Sequence, residues 1–174
     1  MSLTSNDPRS RLPATIDPID LGERGARLSG VLPLKAMPRL AQVCLNEAGE
    51  ARVDLTFDRS EGHEVYTMRG AIDATVRVTC QRCLEPMELR FHAQPELMFV
   101  RPLAGAASLA EDAEVIEVDK PLALSELIED ELLLAMPMIP MHEFEACPAR
   151  EHGAVKRGTT NPFAALKQRK PTER

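Results

Sequence analysis

Between residues 50 and 100, apolar and polar side chains alternate with a period of two, the mark of half-buried strands. Val53, Leu55 and Phe57 alternate with Arg52, Asp54 and Thr56. A longer run puts Met68, Gly70, Ile72, Ala74, Val76, Val78 and Cys80 on one face. Arg69, Ala71, Asp73, Thr75, Arg77 and Thr79 fall on the other. That run is long for one strand, which points to a bulge or bend at Gly70. Met87, Leu89 and Phe91 repeat the alternation, Leu97 and Phe99 follow Pro95, and Val115, Ile116 and Val118 add a short strand. The runs predict an antiparallel meander of hairpins.

The period changes after Pro121. Up to Met136, Leu124, Leu127, Ile128, Leu132 and Ala135 share one face at helical spacing. Pro137 and Pro140 end the helix. Its carboxylates, Glu126, Glu129, Asp130 and Glu131, are expected on a solvated face, the early ones suiting the positive end of the macrodipole. One amphipathic helix against a mostly antiparallel sheet gives an α+β domain with flexible termini. Residues 1–28 read as an extended leader, which Ile16, Ile19 and Leu21 clip onto the core. Residues 29–149 form the single α+β domain, with Pro33 and Pro38 marking loop or irregular edge structure near its start. Residues 150–174 form a tail that closes in a short helix, Asn161 at its N-cap and Pro162 at its first position.

A chain of 174 residues supports one domain with a real core. Aromatic residues make up only 3% and Trp is absent, so the core is aliphatic and Met-rich, and base-stacking platforms are scarce. The net charge of −6 is unevenly spread. Residues 150–174 hold seven cations against two carboxylates, +5, which leaves −11 for residues 1–149. An acidic body with a basic tail suits a protein that touches RNA or an acidic partner surface. No run approaches the ~20 apolar residues of a membrane span, and the N-terminus has no apolar leader core. The expectation is a cytoplasmic protein with reduced thiols, no membrane partner and no small-molecule substrate.

The chemistry-bearing motif is Cys80-Gln81-Arg82-Cys83, a CxxC turn between two strand-like runs. Its spacing is that of half a zinc site. The other half would be His142 and Cys147, directly after the long helix, giving three thiolates and one imidazole. Two other readings stand beside it, inert hairpin thiols and a redox pair. A thioredoxin-like pair needs a helix N-terminus, whereas this one lies at a strand turn and is followed by Pro86. Other catalysis has little support: His63 and His92 read as surface residues, and Gly22–Gly25 lacks the Lys-Ser/Thr of a phosphate loop. At the C-terminus, Phe163, Ala164 and Leu166 precede Lys167, Arg169 and Lys170, apolar residues for a protein surface and cations for phosphates.

Three segments in order resemble the bacterial and chloroplast YceD family, the large ribosomal RNA subunit accumulation proteins. They are Cys80–Cys83, the helix from Ile128-Glu129-Asp130-Glu131 into Met136-Pro137-Met138-Ile139-Pro140-Met141-His142, and Asn161-Pro162-Phe163-Ala164-Ala165-Leu166-Lys167. The likeness spans about residues 65–170, with Ile16-Asp17-Pro18 fitting the family's leader. Cys80, Cys83, His142 and Cys147 all match its pattern; Cys44 lies outside it. The resemblance implies a non-enzymatic factor for accumulation of large-subunit (23S) ribosomal RNA, acting by binding on that RNA, on ribosomal proteins or on the pre-ribosome. The contact residues expected on this basis and on the charge split are Asn161, Phe163, Lys167, Arg169 and Lys170 of the tail and Arg82 of the hairpin. The alternative is a thiol-based redox or zinc-binding adaptor.

Overall fold

The computed structural model describes residues 12–60, 64–102 and 115–151. In chain order its elements are β1 (Thr15–Ile16), α1 (Pro18–Glu23), β2 (Arg27–Pro33), α2 (Pro38–Gln42), β3 (Glu50–Arg59) and β4 (Val65–Thr79). They continue with β5 (Pro86–Ala93), β6 (Glu96–Val100), β7 (Val115–Glu117), β8 (Leu122–Ala123) and α3 (Leu124–Ala135). The architecture is α+β, as the change of period predicts.

One long strand organises the main sheet, whose order is β2-β3-β4-β6-β7 with β5 also on β4. The first part of β4, Val65–Arg69, pairs with β6, and the rest, from Ile72 to Thr79, pairs with β5. Every pairing is antiparallel except β6 with β7, which is parallel. Gly70 makes no bulge. The β3–β4 register runs one to one from Glu50↔Thr75 to Arg59↔Tyr66. Glycine is required for a different reason: a Cβ there would lie 2.1 Å from the Asp54 carbonyl oxygen and 2.9 Å from Leu55 Cα.

Even-numbered residues of β4 from Ile72 onward, with Val53, Leu55 and Phe57 of β3, face the core. The opposite face of the sheet meets solvent. Several of its charges are paired, Arg27 with Asp54, Arg69 with Glu96 and Arg90 with Glu88, and His92 Nδ1 lies 2.9 Å from Asp73 Oδ1. Exposed pairs of this kind add little stability each.

Residues 12–23, the end of the segment read as an extended leader, are structured. Asp17 Oδ1 accepts the backbone N–H groups of Ile19 and Asp20, capping α1, and Pro18 occupies its first position. Thr15 and Ile16 pair with Ala123 and Leu122 in a separate two-stranded sheet. Leu12, Ile16 and Ile19 are buried in the core.

On α3, Leu124, Leu127, Ile128 and Leu132 are buried, as the spacing predicts, while Ala135 is half-buried. Glu129 departs from expectation. It is only 1% exposed, not solvated. Its Oε1 accepts the Leu40 N–H and its Oε2 accepts from Arg39 Nε, each at 2.9 Å. The N–H groups of the first turn of α2 have no partner within that helix, and Met37 offers no side-chain cap, so Glu129 serves from across the core. Pro137 ends α3 by holding Met136 extended, at φ −67° and ψ 131°. Among the described residues, no helix is long and apolar enough to cross a membrane.

Candidate metal centre

The inward phase of β4 continues through Val76 and Val78 to Cys80, which is fully buried. Past it the chain turns back on itself. Cys80 N–H donates to the Glu85 carbonyl and Leu84 N–H to the Cys80 carbonyl, both at 2.9 Å. The turn takes Leu84 into the left-handed region, at φ 63°, where a side chain costs about 1–2 kcal/mol. It carries Cys83 round beside Cys80 before β5 begins.

The second strip of chain arrives from α3. Because Pro137 and Pro140 bar further helix, the segment leaves α3 without regular structure and meets the turn. Gln81 N–H donates to the Pro140 carbonyl at 2.8 Å, and His142 N–H donates to Cys80 Sγ at 3.3 Å. His142 Nδ1 then lies 3.4 Å from Cys83 Sγ. A single turn of 3-10 helix, Phe144–Ala146, delivers Cys147 to the same point, where it is buried.

The donor atoms of Cys80, Cys83, His142 and Cys147 all lie within 4.8 Å of one another. Sulfur and nitrogen donors about 2.0–2.3 Å from a tetrahedral ion stand roughly 3.6 Å apart, close to the observed Cys83–His142 separation. Three thiolates and an imidazole suit zinc, and four protein donors leave no position for a substrate.

Burial of the Cys80 sulfur is the strongest single influence on its titration and opposes ionisation. The backbone N–H groups of Cys83, His142 and Arg82, with the Cys83 side chain, together outweigh it and pull the thiol down to about 5. Cys83 moves the opposite way, raised by burial and by the thiols of Cys80 and Cys147 against the pull of a backbone hydrogen bond from Glu85. N–H groups aimed at a ligating sulfur fix its orientation and spread its charge.

Arg82, expected at an RNA or partner interface, is turned onto the second strip. Its guanidinium lies over the Phe144 ring, 5.3 Å from the centroid, and Nη2 is 3.7 Å from Met141 Sδ. Its Nη1 is buried with no hydrogen-bond partner. Phe144 in this role was not visible in the sequence, because no spacing rule ties it to Arg82. The tail residues Asn161, Phe163, Lys167, Arg169 and Lys170 lie outside the described residues. Cys44 takes no part in the cluster, and burial raises its thiol. The CxxC turn begins no helix, so the redox reading lacks the dipole it would need.

Fold and site together define a small α+β protein whose long central strand ends in a Cys3His clasp. The chain belongs to the YceD family. The family model described as "Large ribosomal RNA subunit accumulation protein YceD" matches residues 68–170. The chain is also 31% identical, over 165 residues, to the large ribosomal RNA subunit accumulation protein YceD of Haemophilus influenzae. That match covers 90% of this chain and 94% of the relative. Comparison with solved structures gave no significant match.

Proposed function

We propose that this chain is a cytoplasmic ribosome-assembly factor needed for large-subunit ribosomal RNA to accumulate, acting by binding rather than catalysis. The observation that carries the reading is the match along nearly its whole length to a relative named for that role. The clasp supports binding over catalysis, since a four-donor tetrahedron has a structural rather than a chemical use. One zinc ion held by Cys80, Cys83, His142 and Cys147 is part of the proposal. So is a phosphate-contacting role for Lys167, Arg169 and Lys170, beside Phe163 and Asn161. Arg82 adds to the interface by shaping the second strip rather than by offering a free cation. The partners are large-subunit ribosomal RNA, ribosomal proteins or the pre-ribosome.

The test is deletion of the gene in its own host, with the ratio of large- to small-subunit ribosomal RNA as readout. The ratio falls on deletion and is restored by the full chain. Cys147→Ser and removal of residues 161–174 each restore it only partly. An unchanged ratio in the deletion strain would sink the proposal.

A further inference from the structure

We propose that the clasp is a docking surface for a cationic, apolar segment of another protein, an inference that rests on the ribosome-assembly reading and names the partner class. Eight large apolar side chains are exposed among the described residues, and five of them, Leu84, Met138, Ile139, Met141 and Phe144, ride on the two strips of the clasp. Met138 is 97% exposed and Leu84 72%. Two more, Val43 and Leu45, sit on a loop tied to the same end of β4 by the Leu45 N–H to Arg77 carbonyl bond at 2.8 Å. Apolar groups scattered singly over a surface need no explanation, but seven of eight gathered at one end mark an interaction site. Methionine adds adaptability to such a surface.

Leu84 supplies an independent observation. It holds left-handed backbone at a cost, and its side chain gains almost no burial in return. Glycine would make the same turn without strain. A strained, exposed leucine makes sense where the side chain is covered by something else.

Charge selects the partner. The strips carry Glu85 and Glu143, and their one cation, Arg82, is stacked on Phe144. Zinc with three thiolates and a neutral imidazole would add one further negative charge. Phosphate is repelled by such a surface, while a basic segment is drawn to it and can bury apolar anchors on the methionines. The solvent face of the sheet makes a poor rival, because Arg27, Arg69 and Arg90 there are already matched by carboxylates and, among the described residues, it gathers no comparable exposed apolar group.

The test uses the full zinc-loaded chain and two immobilised probes: total protein extracted from purified large ribosomal subunits, and naked large-subunit RNA. The wild-type chain binds the protein probe. The double substitution Met138→Asp with Ile139→Asp weakens that binding at least ~10-fold. Arg52→Ala on the sheet face leaves it within about twofold. Zinc content and melting temperature of the variants establish that they fold. The inference is overturned if the wild-type chain ignores the protein probe, or if the double substitution leaves protein binding intact. It is overturned equally if that substitution weakens binding to RNA alone, which makes the clasp a nucleic-acid surface. Protein binding that appears only after residues 161–174 are removed also overturns it, since the tail is then the natural occupant. The deletion strain separates this from the function proposed above. Lost docking with RNA accumulation still dependent on the gene removes the surface and leaves the function standing.

Discussion

The Cys80 sulfur accepts the backbone N–H of His142 at 3.3 Å, although the two residues stand 62 positions apart. This bond and the Gln81–Pro140 bond join the end of β4 to the segment leaving α3. Side-chain contacts of Cys83 with His142 and of Arg82 with Met141 and Phe144 add to them, and the metal is expected to supply most of the closure. The native protein is expected to carry one zinc per chain by elemental analysis. Chelation, or Cys147→Ser, lowers the melting temperature by about 5 °C or more, each kcal/mol being worth about 2–4 °C at this size. An unchanged melting curve after complete zinc removal contradicts the clasp.

The metal-free protein has a pH signature. The Cys80 thiol lies at about 5 in the fold, against an ordinary value of 9.0. A depressed pKa stabilises the folded state fully above the ordinary value. That contribution declines as pH falls from about 9 and is gone below about 5. Thiolate absorbance of the chelated protein should show one group titrating near pH 5, absent in Cys80→Ser. A titration confined to pH 8 and above is the contrary result.

Glu129 answers two demands at once, the Leu40 N–H and the Arg39 guanidinium. Glu129→Ala strands a buried backbone donor and is expected to cost about 2–3 kcal/mol in urea unfolding. Glu129→Gln keeps an oxygen for Leu40 and loses less. Equal losses from the two changes would mean that only the charge matters.

Two backbone positions give substitutions of opposite sign. Gly70→Ala drives a methyl into the Asp54 carbonyl on the neighbouring strand, and is expected to cost at least the ~1–3 kcal/mol of ordinary overpacking. Leu84→Gly relieves left-handed strain with almost no packing to lose, so stability rises by up to ~1 kcal/mol. The same Leu84→Gly change weakens binding to the protein probe if that side chain is a contact. Thermal unfolding of the two variants, run together, checks both signs.

The sheet was legible because one buried face imposes strict alternation, and β3 and the part of β4 from Ile72 onward show it, whereas Val65–Met68 are buried throughout. The helix was legible for the same reason at another period. The four clasp donors could be picked out by type and spacing, but their convergence depends on Pro137 and on the Pro140 carbonyl, which no motif records. Glu129 was misread because a carboxylate on a helix is solvated by default, and the demand that buries it comes from α2, some 90 positions earlier. The Asp17-Pro18 start of α1 did carry a local signal, N-cap followed by proline, and the prolines around it masked it. Pairing of β1 with β8 carried none: two residues are too few for a period to show.

The segment matched by the family model begins at residue 68, inside β4. A polypeptide cut there would keep the clasp and α3 but lose β2, β3 and the first three residues of the strand on which the sheet is built. It would also lose Ile16 and Ile19 from the core and both groups that satisfy Glu129. The shared sequence is thus no severable module, and the acceptor for any partner is the whole folded chain.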